Sequence, residues 1–107
     1  MFARVLEMKT KQGQARALCS VIEEKVLPII KKYTGFVDGV SLIPEETPNS
    51  VLTISFWQNK EAAEKYRMEA YNQVAAIYLP FLEGGIQVRG CDVPFAMTYK
   101  VHAAKAS

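Results

Sequence analysis

Apolar residues alternate with polar ones in some stretches of the chain and recur every three to four residues in others, and this pattern orders its elements. Residues 2–9, F-A-R-V-L-E-M-K, read as a strand with Phe2, Arg4, Leu6 and Met8 on one face. Residues 10–13 form a turn. Over residues 14–33 the apolar positions are Ala15, Leu18, Cys19, Ile22, Val26, Ile29 and Tyr33, spaced as on one face of an amphipathic helix. Glu23 and Glu24 precede Lys31 and Lys32 along it, an order that suits the helix dipole. Pro28 falls inside the pattern and predicts a kink or a new short helical segment. Thr34-Gly35 ends the helix, with the glycine available for a left-handed cap.

Residues 36–43 are the second strand, and P-E-E-T-P-N-S over residues 44–50 is a turn-forming loop. The third strand, residues 51–57, carries no charge. Leu52, Ile54 and Phe56 share one of its faces; Val51, Thr53, Ser55 and Trp57 share the other. A strand so poor in polar groups is expected to be covered on both faces. Helices supply one cover, and a second subunit is the natural source of the other. Asn59 suits a helix cap, with Glu61 and Glu64 in the first turns. Ala63, Tyr66, Arg67, Ala70, Val74, Ile77 and Phe81 keep helical spacing as far as Pro80 or just beyond. Gly84-Gly85 then reads as a chain break and turn, and residues 86–94 as part strand, part bulge. Phe95, Met97, Tyr99 and Val101 alternate with Ala96, Thr98 and Lys100, which predicts the last strand there, followed by a frayed end over residues 102–107. The order β-α-β-β-α-β, with right-handed crossovers, gives an α+β, ferredoxin-like antiparallel sheet with both helices on one face. The open apolar face predicts a homodimer, and residues 1–107 read as a single domain.

Composition narrows the function classes. Of 107 residues, 50% are hydrophobic, enough for a substantial core. The net charge is +2, and the densest basic spots, Lys9 with Lys11, Lys31 with Lys32 and Lys100 with Lys105, have no interleaved aromatics, which argues against nucleic-acid binding. No apolar run is long enough to span a bilayer, so a soluble, cytoplasmic protein is expected. Cys19 and Cys91 match no metal spacing and read as reduced, buried thiols. His102 is the only histidine, which excludes most His-based metal sites and Ser-His or Cys-His catalysis within one chain. No metal or cofactor is expected.

Three segments carry a family resemblance: K-T-K-Q-G-Q after the first strand, L-P-I-I-K-K-Y-T-G-F-V-D-G-V, and V-L-T-I-S-F-W-Q-N-K-E-A-A-E-K-Y. Over about residues 2–101 the chain resembles the antibiotic biosynthesis monooxygenase-like domain, a branch of the dimeric α+β barrel proteins. The resemblance implies a homodimeric barrel and, as the leading function, a cofactor-independent monooxygenase acting on a small aromatic or polyketide-type molecule. In such chemistry the substrate loses a proton and its anion reacts with oxygen. The alternative is a non-catalytic dimeric module that binds a small ligand or a partner protein. The family also contains haem-degrading enzymes, which use an Asn on the first strand and a Trp and a His on the second helix. Here the corresponding positions offer Ala3 or Arg4, Tyr66, and Ala75 or Ala76, so haem degradation is rejected.

The candidate site residues follow. Trp57 is either a pocket wall that stacks on a flat ligand or a core plug joining sheet and helix. Arg67 sits within the apolar arc of the second helix; it reads as a clamp for an anion, as a snorkelling side chain, or as the partner of an acid such as Glu7 or Asp38. Arg67 and Tyr66 are the catalytic candidates, and Trp57, Tyr71, Thr53 and Ser55 the substrate-binding ones. Tyr33 and Tyr78 are further tyrosines at core edges, and Arg4 is either a pocket charge or an edge charge. No residue offers itself as a general base.

Overall fold

A computed structural model describes residues 1–97. The elements are β1 (Phe2–Thr10), α1 (Ala15–Val21), a π-helical segment (Ile22–Val26), α2 (Leu27–Ile30), β2 (Phe36–Leu42), β3 (Ser50–Trp57), α3 (Lys60–Tyr78), a 3-10 turn (Leu79–Phe81) and β4 (Leu82–Asp92). The strands form one antiparallel sheet in the order β2-β3-β1-β4, the ferredoxin-like α+β arrangement expected from the pattern. Among the described residues no helix is long and apolar enough to cross a membrane.

Local chemistry explains the breaks. Pro28 lies in the first turn of α2, where its missing N–H costs least, and the wider π segment before it absorbs the interruption. Gly35 has φ +92°, and a Cβ there would stand 2.6 Å from the Ala62 Cβ, so the junction between the first helical layer and β2 demands glycine. Asn59 caps α3 by accepting a hydrogen bond from the Ala62 N–H at 2.9 Å.

The end of the chain differs from expectation. Gly84 and Gly85 do not break it; they lie inside β4. The β1–β4 register shifts between Met8 and Thr10, and the glycines sit opposite that irregularity, where a strand tolerates residues without side chains. Among the described residues the last strand is therefore Leu82–Asp92. The Val93 N–H still donates to the Met1 carbonyl at 3.0 Å, and residues 95–97, where the pattern predicts the start of the last strand, are not in a strand. Tyr99, Val101 and His102 lie outside the described residues.

The register of β1 on β3 pairs Met8 with Val51, Leu6 with Thr53, Arg4 with Ser55 and Phe2 with Trp57, all on the helix-covered face. Met8, Leu18, Val51, Trp57 and Val74 are fully buried there. Each such apolar side chain contributes roughly 1.5–3 kcal/mol through its removal from water. The opposite face carries Val5, Leu52, Ile54 and Phe56, which are half-buried, and Val40 and Leu42, which are 41% and 47% exposed.

Candidate active site

Sheet and helices do not close completely. Between them lies a cavity of about 300 Å³. Leu6 from β1, Ile22 and Val26 from the π segment, Ile30 from α2 and Val74 from α3 form apolar walls. Polar groups enter from three sides: Arg4 from β1, Thr53 and Ser55 from β3, and Tyr66, Tyr71 and Tyr78 from α3. Glu23 also borders the space, but its side chain is exposed, so it stands at the rim. Gly39 on β2 faces Ser55 and leaves the floor without a side chain at that point.

Arg4 is the unusual member. Its side chain is 9% exposed, and strand alternation turns it inward with Leu6 and Met8. Its Nη2 lies 3.6 Å from Glu64 Oε1, beyond hydrogen-bond distance. Its Nε and Nη1 are buried with no partner, and so is Thr53 Oγ1, its diagonal neighbour across the β1–β3 ladder. The sequence left Arg4 open between pocket and edge; the structure places it in the cavity wall.

Arg67 goes the other way. It is exposed and does not line the cavity, which corrects its inward reading. A helical position fixes the direction of Cβ, not of a guanidinium several bonds beyond it. Here the long side chain turns back along α3 and donates from Nε and Nη2 to Glu64 Oε2, at 3.0 and 2.8 Å. The acid it meets is one helical turn away, neither Glu7 nor Asp38.

Trp57 is completely buried and is not part of the cavity wall. Its Nε1 donates to Ser55 Oγ at 2.9 Å, and its ring packs edge-on against Phe36 and tilted against Tyr66. That is the plug between sheet and helix, one layer behind Tyr66. Tyr66 in turn meets Tyr33 edge-to-face, with ring centroids 5.2 Å apart. Cys19 and Cys91 are free thiols, each half-buried rather than sealed in the core.

The cavity's electrostatics follow from burial. Desolvation pushes the Tyr66 phenol well above the ordinary tyrosine range; Tyr33 and Tyr71 add to the shift, and Arg4 opposes it. Tyr78 is raised mainly by burial, then by Tyr66 and Tyr71. Tyr71 is raised by burial and pulled back by Arg4. All three phenols therefore keep their protons at neutral pH and act as hydrogen-bond donors, not bases. Glu64 is held below the usual carboxylate range, first by its hydrogen bond from Arg67. The Cys19 thiol is raised by burial, with Arg16 opposing. Among the described residues no three His, Cys, Asp or Glu side chains come together as a metal site.

Several solved structures share this architecture. A monooxygenase of Streptomyces coelicolor, solved with the ligand nanaomycin D, superimposes with a TM-score of 0.75 at 16% identity, covering 90% of this chain and 89% of its own. SnoaB, a cofactor-independent oxygenase of Streptomyces nogalater, gives 0.74 at 14% identity over 90% of this chain and 95% of its own. A protein of unknown function from Nitrosomonas europaea gives 0.72 at 14% identity over 89% and 90%. At such identities the likeness establishes the fold. No curated protein matches the chain. The family model described as antibiotic biosynthesis monooxygenase matches residues 1–76, most of the chain's length, and the chain belongs to that family.

Proposed function

We propose that the protein is a cofactor-independent monooxygenase of a small planar phenol, and that the cavity between β1, β3 and α3 is its active site. The observation that carries this is the cavity itself: about 300 Å³, apolar in its walls, and lined by Arg4 and the buried tyrosines Tyr66 and Tyr78. That is the size and character of a site for a small organic molecule. The family supplies the reaction class, and two structural neighbours are oxygenases by description. A phenol that becomes a quinone supplies all four electrons needed to reduce one dioxygen. One oxygen atom enters the ring and the other leaves as water, so no external reductant is required. The protein's part is to exclude water, fix the ring, and stabilise the phenolate with donors already in place. Tyr66 and Tyr71 serve as those donors, and Thr53 and Ser55 line the sheet side. The working unit in this proposal is a homodimer, with the open face of the sheet covered by a second copy.

The test is oxygen incorporation. The purified protein, dialysed against chelator, is incubated with a panel of planar phenols and naphthols under 18O2. Quinone formation above the buffer rate, with one labelled oxygen per product, supports the reading. No product above buffer from any phenol overturns it. One feature favours the second reading, a ligand-binding module: the tyrosines are held protonated, and the carboxylate bordering the cavity, Glu23, is at its exposed rim.

A further inference from the structure

Arg4 brings a full positive charge into the cavity wall, and its surroundings do not neutralise it. Glu64 is the acid that approaches it, at 3.6 Å, but Glu64 Oε2 accepts both hydrogen bonds from Arg67. Three charges thus share one cluster: two guanidinium groups and one carboxylate. The positive excess resides on Arg4 as much as on Arg67, yet only Arg67 is in water, at 45% side-chain exposure against 9%. Burying an ion without full pairing is costly, and buried donors without acceptors add to that cost. Nε carries one hydrogen and Nη1 two, so three N–H donors lack an acceptor, and Thr53 Oγ1 has no partner either. The nearby phenols of Tyr66 and Tyr71 are also donors, and Arg4 favours their ionised forms without overcoming their burial. The Arg4 donors thus lie among hydroxyls that can turn to meet an anion, and among the described residues Glu64 is the carboxylate within ion-pair distance of Arg4. Glu23, the opposing charge that borders the space, is solvated at the rim.

We propose that this region is an oxyanion site: Arg4, through Nε and Nη1, with Thr53 Oγ1 beside it, binds the carboxylate or acidic phenolate oxygen of a ligand whose apolar rings occupy the rest of the cavity. The inference rests on the cavity being the ligand site and deepens that reading. It names the ligand class as one that arrives already ionised, since the phenols of the cavity keep their own protons. Catalysis is not required for it, so a non-catalytic binder of the same anion satisfies it equally.

Paired probes test it: 1-naphthoate, ionised throughout, and its uncharged isostere 1-naphthamide, titrated calorimetrically into the full-length protein at pH 7. Hydrogen bonds to a charged group are worth enough for a preference of roughly 10- to 150-fold for the carboxylate. Arg4→Gln is expected to abolish that preference, and Arg4→Lys to restore part of it, since a lysine keeps the charge without the planar donor set. Equal binding of the two probes to the wild type overturns the oxyanion site while the cavity remains the ligand site; Arg4 is then satisfied by water. Binding of neither probe overturns both. Should Arg4→Gln fail to fold, the wild-type comparison decides the question without it.

Discussion

On the helix side of the sheet, Met8, Val51 and Trp57 are sealed from water, and a gap left there is bordered by Arg4, Thr53 and three tyrosines. On the other side, Leu52, Ile54 and Phe56 are only half-buried, and Val40 and Leu42 stand in the open. The same strands build both faces, residue by residue in alternation. The covered face is largely apolar, yet it admits a charged group where the cover is incomplete. The uncovered face has no charge on β3 and, among the described residues, no layer of its own chain over it. A face that is apolar without being buried calls for a partner; a buried face that keeps unsatisfied donors calls for a ligand. These are different signs of incompleteness, and each can be tested.

The largest effect is expected on the sealed side. Trp57→Ala removes a fully buried indole that touches Phe36 and Tyr66 and strands the Ser55 hydroxyl it bonds. Chemical denaturation should read a loss of about 3–5 kcal/mol. A loss under about 1 kcal/mol would mean that Trp57 is a cavity wall and not a plug.

The open side should respond in assembly rather than in folding. Ile54→Lys places a charge in the middle of the apolar face, opposite Val5 and Val40. In a two-fold interface the change counts twice. Sedimentation should give a dimer for the wild type at micromolar concentration and a monomer for the variant, with unfolding still cooperative. A wild-type monomer would remove the partner from the comparison altogether.

The smallest effect is a spectroscopic one on the cavity side. Tyr66 and Tyr78 have raised pKa values in the folded protein, so the unfolded chain loses those protons first. Their contribution to stability is therefore complete below the ordinary tyrosine value of about 10 and is lost as pH rises above it. Titration of tyrosinate absorbance should show two of the chain's five tyrosines resisting ionisation until the protein unfolds, and all five titrating together in denaturant. A single wave near pH 10 in the native protein would mean that the cavity is fully hydrated.

Much of this protein could be read from its residues in order. Period-two alternation at residues 2–9 and 51–57, helical spacing across residues 14–33 and 63–81, Gly35 at a left-handed turn and Asn59 at a cap are local properties, and local sterics and solvation decide them. They were sufficient for the sheet order, since chain direction and right-handed crossovers leave few alternatives. Three things depended on contacts between distant residues. Gly84-Gly85 reads as a break in isolation, but β1 supplies a hydrogen-bonding partner with an irregular register, and the strand continues through it. Arg67 and Arg4 both stand among apolar neighbours in sequence. One long side chain found Glu64 and water; the other, on a strand roofed by α3, found neither a full partner nor a way out. Trp57 was settled by what surrounds it, because an aromatic ring at a strand end is equally suited to plug a core or to line a pocket. Periodicity specifies which face a residue occupies. Only the packed structure decides how completely that face is covered, and in this protein the incomplete cover over Arg4 is where the candidate chemistry lies.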